Sequence, residues 1–183
     1  IVRSYDHAVN YWLSEYILFG VFYGLLLLII IYNLIYFINL QKSYYLYYVL
    51  YGAGVLVYLM SKNGTGFQYL WPNFPAFNLH AGIFGLGISS ICLILFTINF
   101  LSLNSIDKKL YRYLVVGMSL RILILTIQMF FSSDYLYEVV DFVYVQVVFL
   151  IALKLRIDKI SSAKWIVIAF SVLNISFIIS LLE

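Results

Sequence analysis

The sequence predicts an all-α fold: a polytopic transmembrane helical bundle with six spans, organised as one domain over residues 1–183. Three observations predict it. Hydrophobic residues make up 64% of the chain and charged residues only 10%, with a mean hydropathy of +1.00, whereas a soluble domain carries roughly a quarter charged residues. The apolar residues gather in six stretches, close to the roughly 20 residues that cross a hydrocarbon core about 30 Å thick. Those stretches are continuous in Leu, Ile, Val and Phe, whereas a barrel strand would alternate apolar and polar residues over about 10 positions. The composition excludes a soluble enzyme, a nucleic-acid module and a disordered tail, and it makes the lipid bilayer the first expected partner.

Taken in order, the first stretch runs from Tyr16 to Leu40 and carries Gly20-x-x-x-Gly24, with Tyr32 and Asn33 toward its end. Gln41 to Ser43 is nearly a bare turn. The second stretch, Tyr44 to Met60, is the shortest and contains Gly52-Ala53-Gly54. From Ser61 to Phe77 the chain has turn chemistry, with Asn63-Gly64, Gly66, Pro72 and Pro75, so irregular backbone with a shape of its own is expected there. The third stretch, Asn78 to Leu101, offers Gly82, Gly85, Gly87 and Ser89. Small residues let helices approach closely in lipid, so all of these glycines are expected on packing faces. Gly20 and Gly24 would serve either packing within the bundle or a homodimer.

The fourth stretch, Tyr111 to Phe131, contains Arg121, ten residues from either end and so about 15 Å deep at a helical rise. An arginine there costs at least about 2.5 kcal/mol unless it is compensated. The fifth stretch, Leu136 to Leu155, supplies the candidates Asp141 and Gln146, and Asp141 is expected to be the partner because a carboxylate accepts two guanidinium donors at once. Gln128 shares the Arg121 face one heptad later. Such a pair either holds two helices together or acts as a switchable pair or ligand contact. The sixth stretch runs from Ala163 to Leu182. Single amides at Asn33, Asn99 and Asn174 are expected to hydrogen-bond between helices.

Basic residues in short loops stay on the cytoplasmic side. Lys42, Lys108, Lys109, Arg112, Lys154, Arg156, Lys159 and Lys164 follow the first, third and fifth stretches, against Arg3 and Lys62 on the other side with the acids Asp6, Glu15, Asp134, Glu138 and Glu183. Both ends, Ile1 and Glu183, are therefore expected outside. Interfacial aromatics agree: Tyr11, Trp12, Tyr69, Trp71, Tyr135 and Tyr137 at the outer boundary, Tyr44, Tyr45, Tyr111, Tyr113 and Trp165 at the inner one. The start at Ile1, with no basic-apolar-small signal pattern, reads as a piece of a longer product.

No catalytic or metal constellation is legible. The two histidines, His7 and His80, have no partner set for zinc, and the single cysteine, Cys92, lies in an apolar run. His80 reads as a helix-entry residue. Lys154 sits among cytoplasmic charges rather than deep in a helix, where a retinal Schiff base would need it. No cofactor and no enzymatic activity are expected of this domain. A transporter would show broken helices with paired polar residues at the midplane, and a membrane-embedded enzyme would show a nucleophile with a base at one depth; these are the competing readings.

The first half also carries four separated elements in order: GVFYGLLLLIIIYNLIY from Gly20 to Tyr36, YYLYYVLY from Tyr44, NGTGFQYLWPN from Asn63 and FTINFL from Phe96. Over roughly Phe19 to Leu103 the chain resembles the membrane domain of the seven-transmembrane receptors with diverse intracellular signalling modules. That family has a GxxYG-like opening, here Gly20 to Gly24, and a YN pair late in the first helix, here Tyr32-Asn33. In its first outer loop a glycine precedes YLWP, here Gly64 with Tyr69, Leu70, Trp71 and Pro72. The resemblance implies a bacterial inner-membrane receptor domain. An extracytoplasmic sensor domain would precede it, and a cytoplasmic kinase or cyclase output would follow a seventh helix that this chain lacks. The outer loop's Phe67, Tyr69, Trp71, Phe74 and Phe77 are expected to bury at the outer rim, as a lid over the helix tops or as a docking surface for the sensor.

Overall fold

A computed structural model describes the backbone of residues 5–131, 136–158 and 160–182, with side chains at 13–14, 16–130, 137–158, 160–171 and 174. The expectations that rest on Ile1, Arg3, Asp134, Tyr135, Lys159 and Glu183 lie outside the described residues, and those on Asp6, His7, Tyr11, Trp12 and Glu15 rest on side chains outside the described ones. Within them every regular element is a helix: α1 (Tyr5–Leu40), α2 (Ser43–Lys62), α3 (Thr65–Tyr69), α4 (Pro75–Phe100), α5 (Leu103–Ile106), α6 (Lys108–Phe131), α7 (Leu136–Ile157) and α8 (Ala163–Leu182).

The six predicted stretches fall on α1, α2, α4, α6, α7 and α8. Four segments, Tyr16–Leu40, Ser43–Lys62, Pro75–Phe100 and Lys108–Phe130, are long and apolar enough to cross a membrane. The helices α7 and α8 have span length at 22 and 20 residues, but α7 carries Glu138, Asp141, Lys154 and Arg156. Four of the six expected spans are thus found among the described residues, and α7 and α8 have the length of the other two.

The boundaries have local causes. Between α1 and α2 the chain reverses within Gln41 and Lys42: Gln41 takes a left-handed φ of 54° and its N–H bonds to Phe37 O at 2.8 Å, the closing bond of a helix that ends on a left-handed residue. Pro75 opens α4 because its ring fixes φ in the helical range and the first turn needs no N–H from it. Asp107 starts α6, its Oδ1 accepting from Lys109 N at 2.9 Å and Leu110 N at 3.1 Å.

At the centre is α4, packed against α2, α6 and α7, while α1 lies on α2 and α8 on α7. Two glycines make this possible. A Cβ on Gly85 would lie 2.7 Å from Gly54 O, and one on Gly87 would lie 2.3 Å from Leu125 Cδ1, so α2 and α6 close on opposite sides of the helix through residues that have no side chain. Gly20 and Gly24 do not serve packing within the chain: a Cβ on either would meet nothing within 4 Å. The main buried cluster, including Ile94, Leu101, Leu114, Val148, Leu155 and Phe170, fills the end of the bundle where Lys108, Lys154 and Lys164 lie, hereafter the basic end. The opposite, or loop, end carries residues 63–74.

Candidate functional site: a buried arginine joining three helices

Arg121 is fully buried in α6, and each part of its guanidinium has a partner. Nη2 donates to Asp141 Oδ1 of α7 at 2.7 Å, Nε to Ser90 Oγ of α4 at 2.8 Å, and Nη1 to Gln128 Oε1, two turns on in α6, at 3.0 Å. The ring of Tyr144, one turn beyond Asp141 on α7, lies 5.8 Å from the guanidinium carbon, and its hydroxyl donates to Gly117 O of α6 at 3.0 Å. Taking two charges out of water is costly, and good geometry with extra hydrogen bonds is what offsets it. The cluster has both, except that Asp141 Oδ2 is buried without a hydrogen-bond partner. Chemically, the arrangement sets the relative positions of three helices by charge-assisted bonds in a poorly solvated place.

Gln146 does not join Arg121. Its Nε2 donates to Asn174 Oδ1 at 2.8 Å, tying α7 to α8. Ser90 was not foreseen; its neighbour Ser89, about 100° around the helix, faces α2 through Gly54 instead. Asn174 bonds between helices as expected, whereas Asn33 Nδ2 and Asn99 Nδ2 donate at 2.8 and 2.9 Å to Ile29 O and Leu95 O of their own helices. An amide on a helix can satisfy itself four residues back without a neighbour. Tyr32 is exposed and shares a 2.9 Å hydroxyl contact with Tyr36.

A second polar group lies at the loop end. Lys62 Nζ of α2 meets Glu138 Oε1 of α7 at 2.5 Å, and Tyr58 OH donates to the same oxygen at 3.1 Å. The sequence puts Lys62 and Glu138 on one side of the membrane but does not pair them. The 63–74 segment is built rather than loose. Gly64 supplies the left-handed φ of 72° that starts α3, Trp71 N and Leu70 N both bond to Gly66 O, and Trp71 Nε1 donates to Asn78 Oδ1 at 3.0 Å. Trp71 is half-buried, with its indole over the bare face of Gly66. Tyr69, Leu70, Pro72, Phe74 and Phe77 are exposed, so they do not bury against the helix tops as a lid; a five-residue helix has too little inward surface to cover them. His80 lies in the second turn of α4 and not at its start. Among the described residues no group of His, Cys, Asp and Glu could hold a metal.

Comparison with known families gives one match: the profile described as 7TM diverse intracellular signalling covers residues 15–183. No curated protein and no solved structure matches the chain.

Proposed function

The chain belongs to the 7TM diverse intracellular signalling family, and from that premise we propose that it is the membrane domain of a bacterial inner-membrane receptor. It passes a signal from an extracytoplasmic sensor domain to a cytoplasmic output of kinase or cyclase type, both in the same polypeptide. It carries no catalysis of its own. The N-terminus faces outward and the basic end inward, which the placement of Lys42, Lys108, Lys109, Arg112, Lys154, Arg156 and Lys164 supports.

The observation that carries this reading is the Arg121 cluster. One guanidinium holds α4, α6 and α7 together at mid-depth, so a shift of α7 at the outer end must move or break bonds that also position α4 and α6. An ionisable pair inside a membrane marks function by default, and discrete bonds give such a movement two arrangements rather than a continuum. The test uses the full-length protein in membranes, with output activity measured with and without the sensor's stimulus. Asp141→Asn and Arg121→Gln should uncouple output from stimulus while leaving membrane insertion intact. Unchanged stimulus dependence in both would overturn the reading.

A further inference from the structure

At the basic end a groove of about 260 Å³ runs between α2, α4 and α8, walled by Tyr48, Leu93, Phe96, Phe100, Trp165 and Ala169. The helix α8 packs chiefly on α7, and the groove is the space left between α8 and the other two helices. Trp165 is 61% exposed and Ala169 is exposed as well, so the groove opens toward the surrounding hydrocarbon. We propose that it seats one acyl chain of an anionic phospholipid from the adjoining leaflet, with the lipid phosphate at Lys164.

Size narrows the occupant. An α-helix with its side chains is about 10 Å across, and small-molecule pockets begin at roughly 300 Å³, so a groove of about 260 Å³ suits a slim chain rather than a helix or a bulky ligand. Its aromatic wall is continuous: Phe96 and Phe100, four residues apart on α4, stack at 5.1 Å, and the Tyr48 ring lies against Phe96 at 5.5 Å. Apolarity alone, however, selects no particular lipid. A tail is as apolar as a leucine side chain, so any lipid enters such a groove with little preference unless its headgroup is recognised.

Recognition comes from the rim. Lys164, in the first turn of α8, places its ammonium 4.8 Å from the centre of the Trp165 ring that walls the groove. Lys42 stands just before α2, two residues from Tyr44, whose ring meets Phe100 edge to face at 5.7 Å. Both lysines are exposed, and among the described residues neither is in an ion pair, whereas Lys154 is paired with Asp107 at 3.7 Å. A lipid phosphate sits at the membrane surface above its tail, so a cation that borders the groove without lining it is where the phosphate needs it. Basic residues between membrane helices hold anionic headgroups by this charge. Tyr48 adds a polar contact: its hydroxyl has no hydrogen-bond partner among the described residues, and the ester carbonyl of a seated lipid is an acceptor.

This goes beyond the passage of a signal from sensor to output: it assigns the domain a lipid partner, and binding is read without any output. The test places the intact protein in phosphatidylcholine nanodiscs containing a minor share of lipid with brominated acyl chains, carried on either phosphatidylglycerol or phosphatidylcholine. Bromine quenches tryptophan emission on contact, and subtracting the signal of Trp165→Phe isolates Trp165 from Trp12 and Trp71. Brominated phosphatidylglycerol should quench Trp165 at a mole fraction roughly fivefold lower than brominated phosphatidylcholine, the effect of one interfacial lysine. Lys164→Gln should remove most of that preference. Ala169→Phe, at an exposed position, fills the groove, leaves every charge in place and should lower the preference as much. The proposal is overturned by equal quenching from the two lipids in the wild type, by a preference that survives Lys164→Gln, or by one that survives Ala169→Phe, which would mark general attraction to the basic end and not a seat in the groove.

Discussion

Glu138 and Asp141 stand three residues apart on one face of α7, and each takes a cation from a different helix: Lys62 of α2 at 2.5 Å and Arg121 of α6 at 2.7 Å. One turn of α7 thus carries two of the three ion pairs found among the described residues, the outer one partly exposed and the inner one buried. A helical turn rises about 5.4 Å, so displacement at Glu138 reaches Asp141 with almost no length over which to relax.

The inner pair should show strong coupling. Arg121→Leu or Asp141→Leu alone leaves a buried charge unpaired and should each cost about 3–5 kcal/mol. The double variant should cost clearly less than the sum, and thermal unfolding of the four proteins in one detergent measures the difference. Additive losses would deny the pair any coupling. Ser90→Ala, which removes one neutral acceptor, should cost only about 1 kcal/mol.

Glycines predict a contrast. Gly85→Ala forces a methyl toward Gly54 O and the Tyr58 backbone and should destabilise by about 1–3 kcal/mol, whereas Gly24→Ala meets open space and should lie within about 0.5 kcal/mol of wild type. The same unfolding assay checks both.

Cysteine labelling from outside intact cells tests orientation. A cysteine at Asn73 should react and one at Lys108 should not, with little background because the native Cys92 is buried. The reverse pattern would invert the topology.

Asp107 supplies a pH dependence outside the spans. The backbone N–H of Leu110, then that of Lys109, together with the Lys154 ammonium, holds its carboxyl below the usual range. A carboxyl whose pKa is depressed on folding stabilises above its unfolded pKa of about 3.9, and that contribution is lost as pH falls through the lower folded value. Protection of the Lys109 and Leu110 amides, measured against the intrinsic exchange rate at the same pH, should therefore be high at neutral pH and fall in strong acid, and Asp107→Ala should lower it at neutral pH as well.

Trp71 reports on the 63–74 segment. Gly66→Ala would put a Cβ inside the indole's space, so the tryptophan emission should shift to longer wavelength while the spans remain helical by circular dichroism.

Arg121 and Asp141 were legible in the sequence because a lone charge ten residues from either helix end demands a partner, and a carboxylate within reach on the next long helix answers it better than an amide. Ser90 was not legible, since a sequence fixes which residues share a helix face but not which neighbour that face meets. Gly20 and Gly24 show the same gap: the spacing marks a smooth stripe, and only the docking of α1 on α2 shows that no helix of this chain packs closely on it. At the loop end, α3 was hidden because five residues hold too little of a helical period to register. Its cause was nonetheless present in Gly64, the residue best able to take the left-handed turn that starts it.

The contact between Gly54 and Gly85 has a genetic consequence. Every single-base change in a glycine codon that replaces the amino acid introduces a residue with a Cβ, and at these two positions a Cβ lands within 2.7 Å of the opposing carbonyl oxygen. Codons 54 and 85 should therefore accept only silent changes in a random mutagenesis library selected for the receptor, and codons 20 and 24, a few turns away in the same protein, should drift freely to alanine and serine.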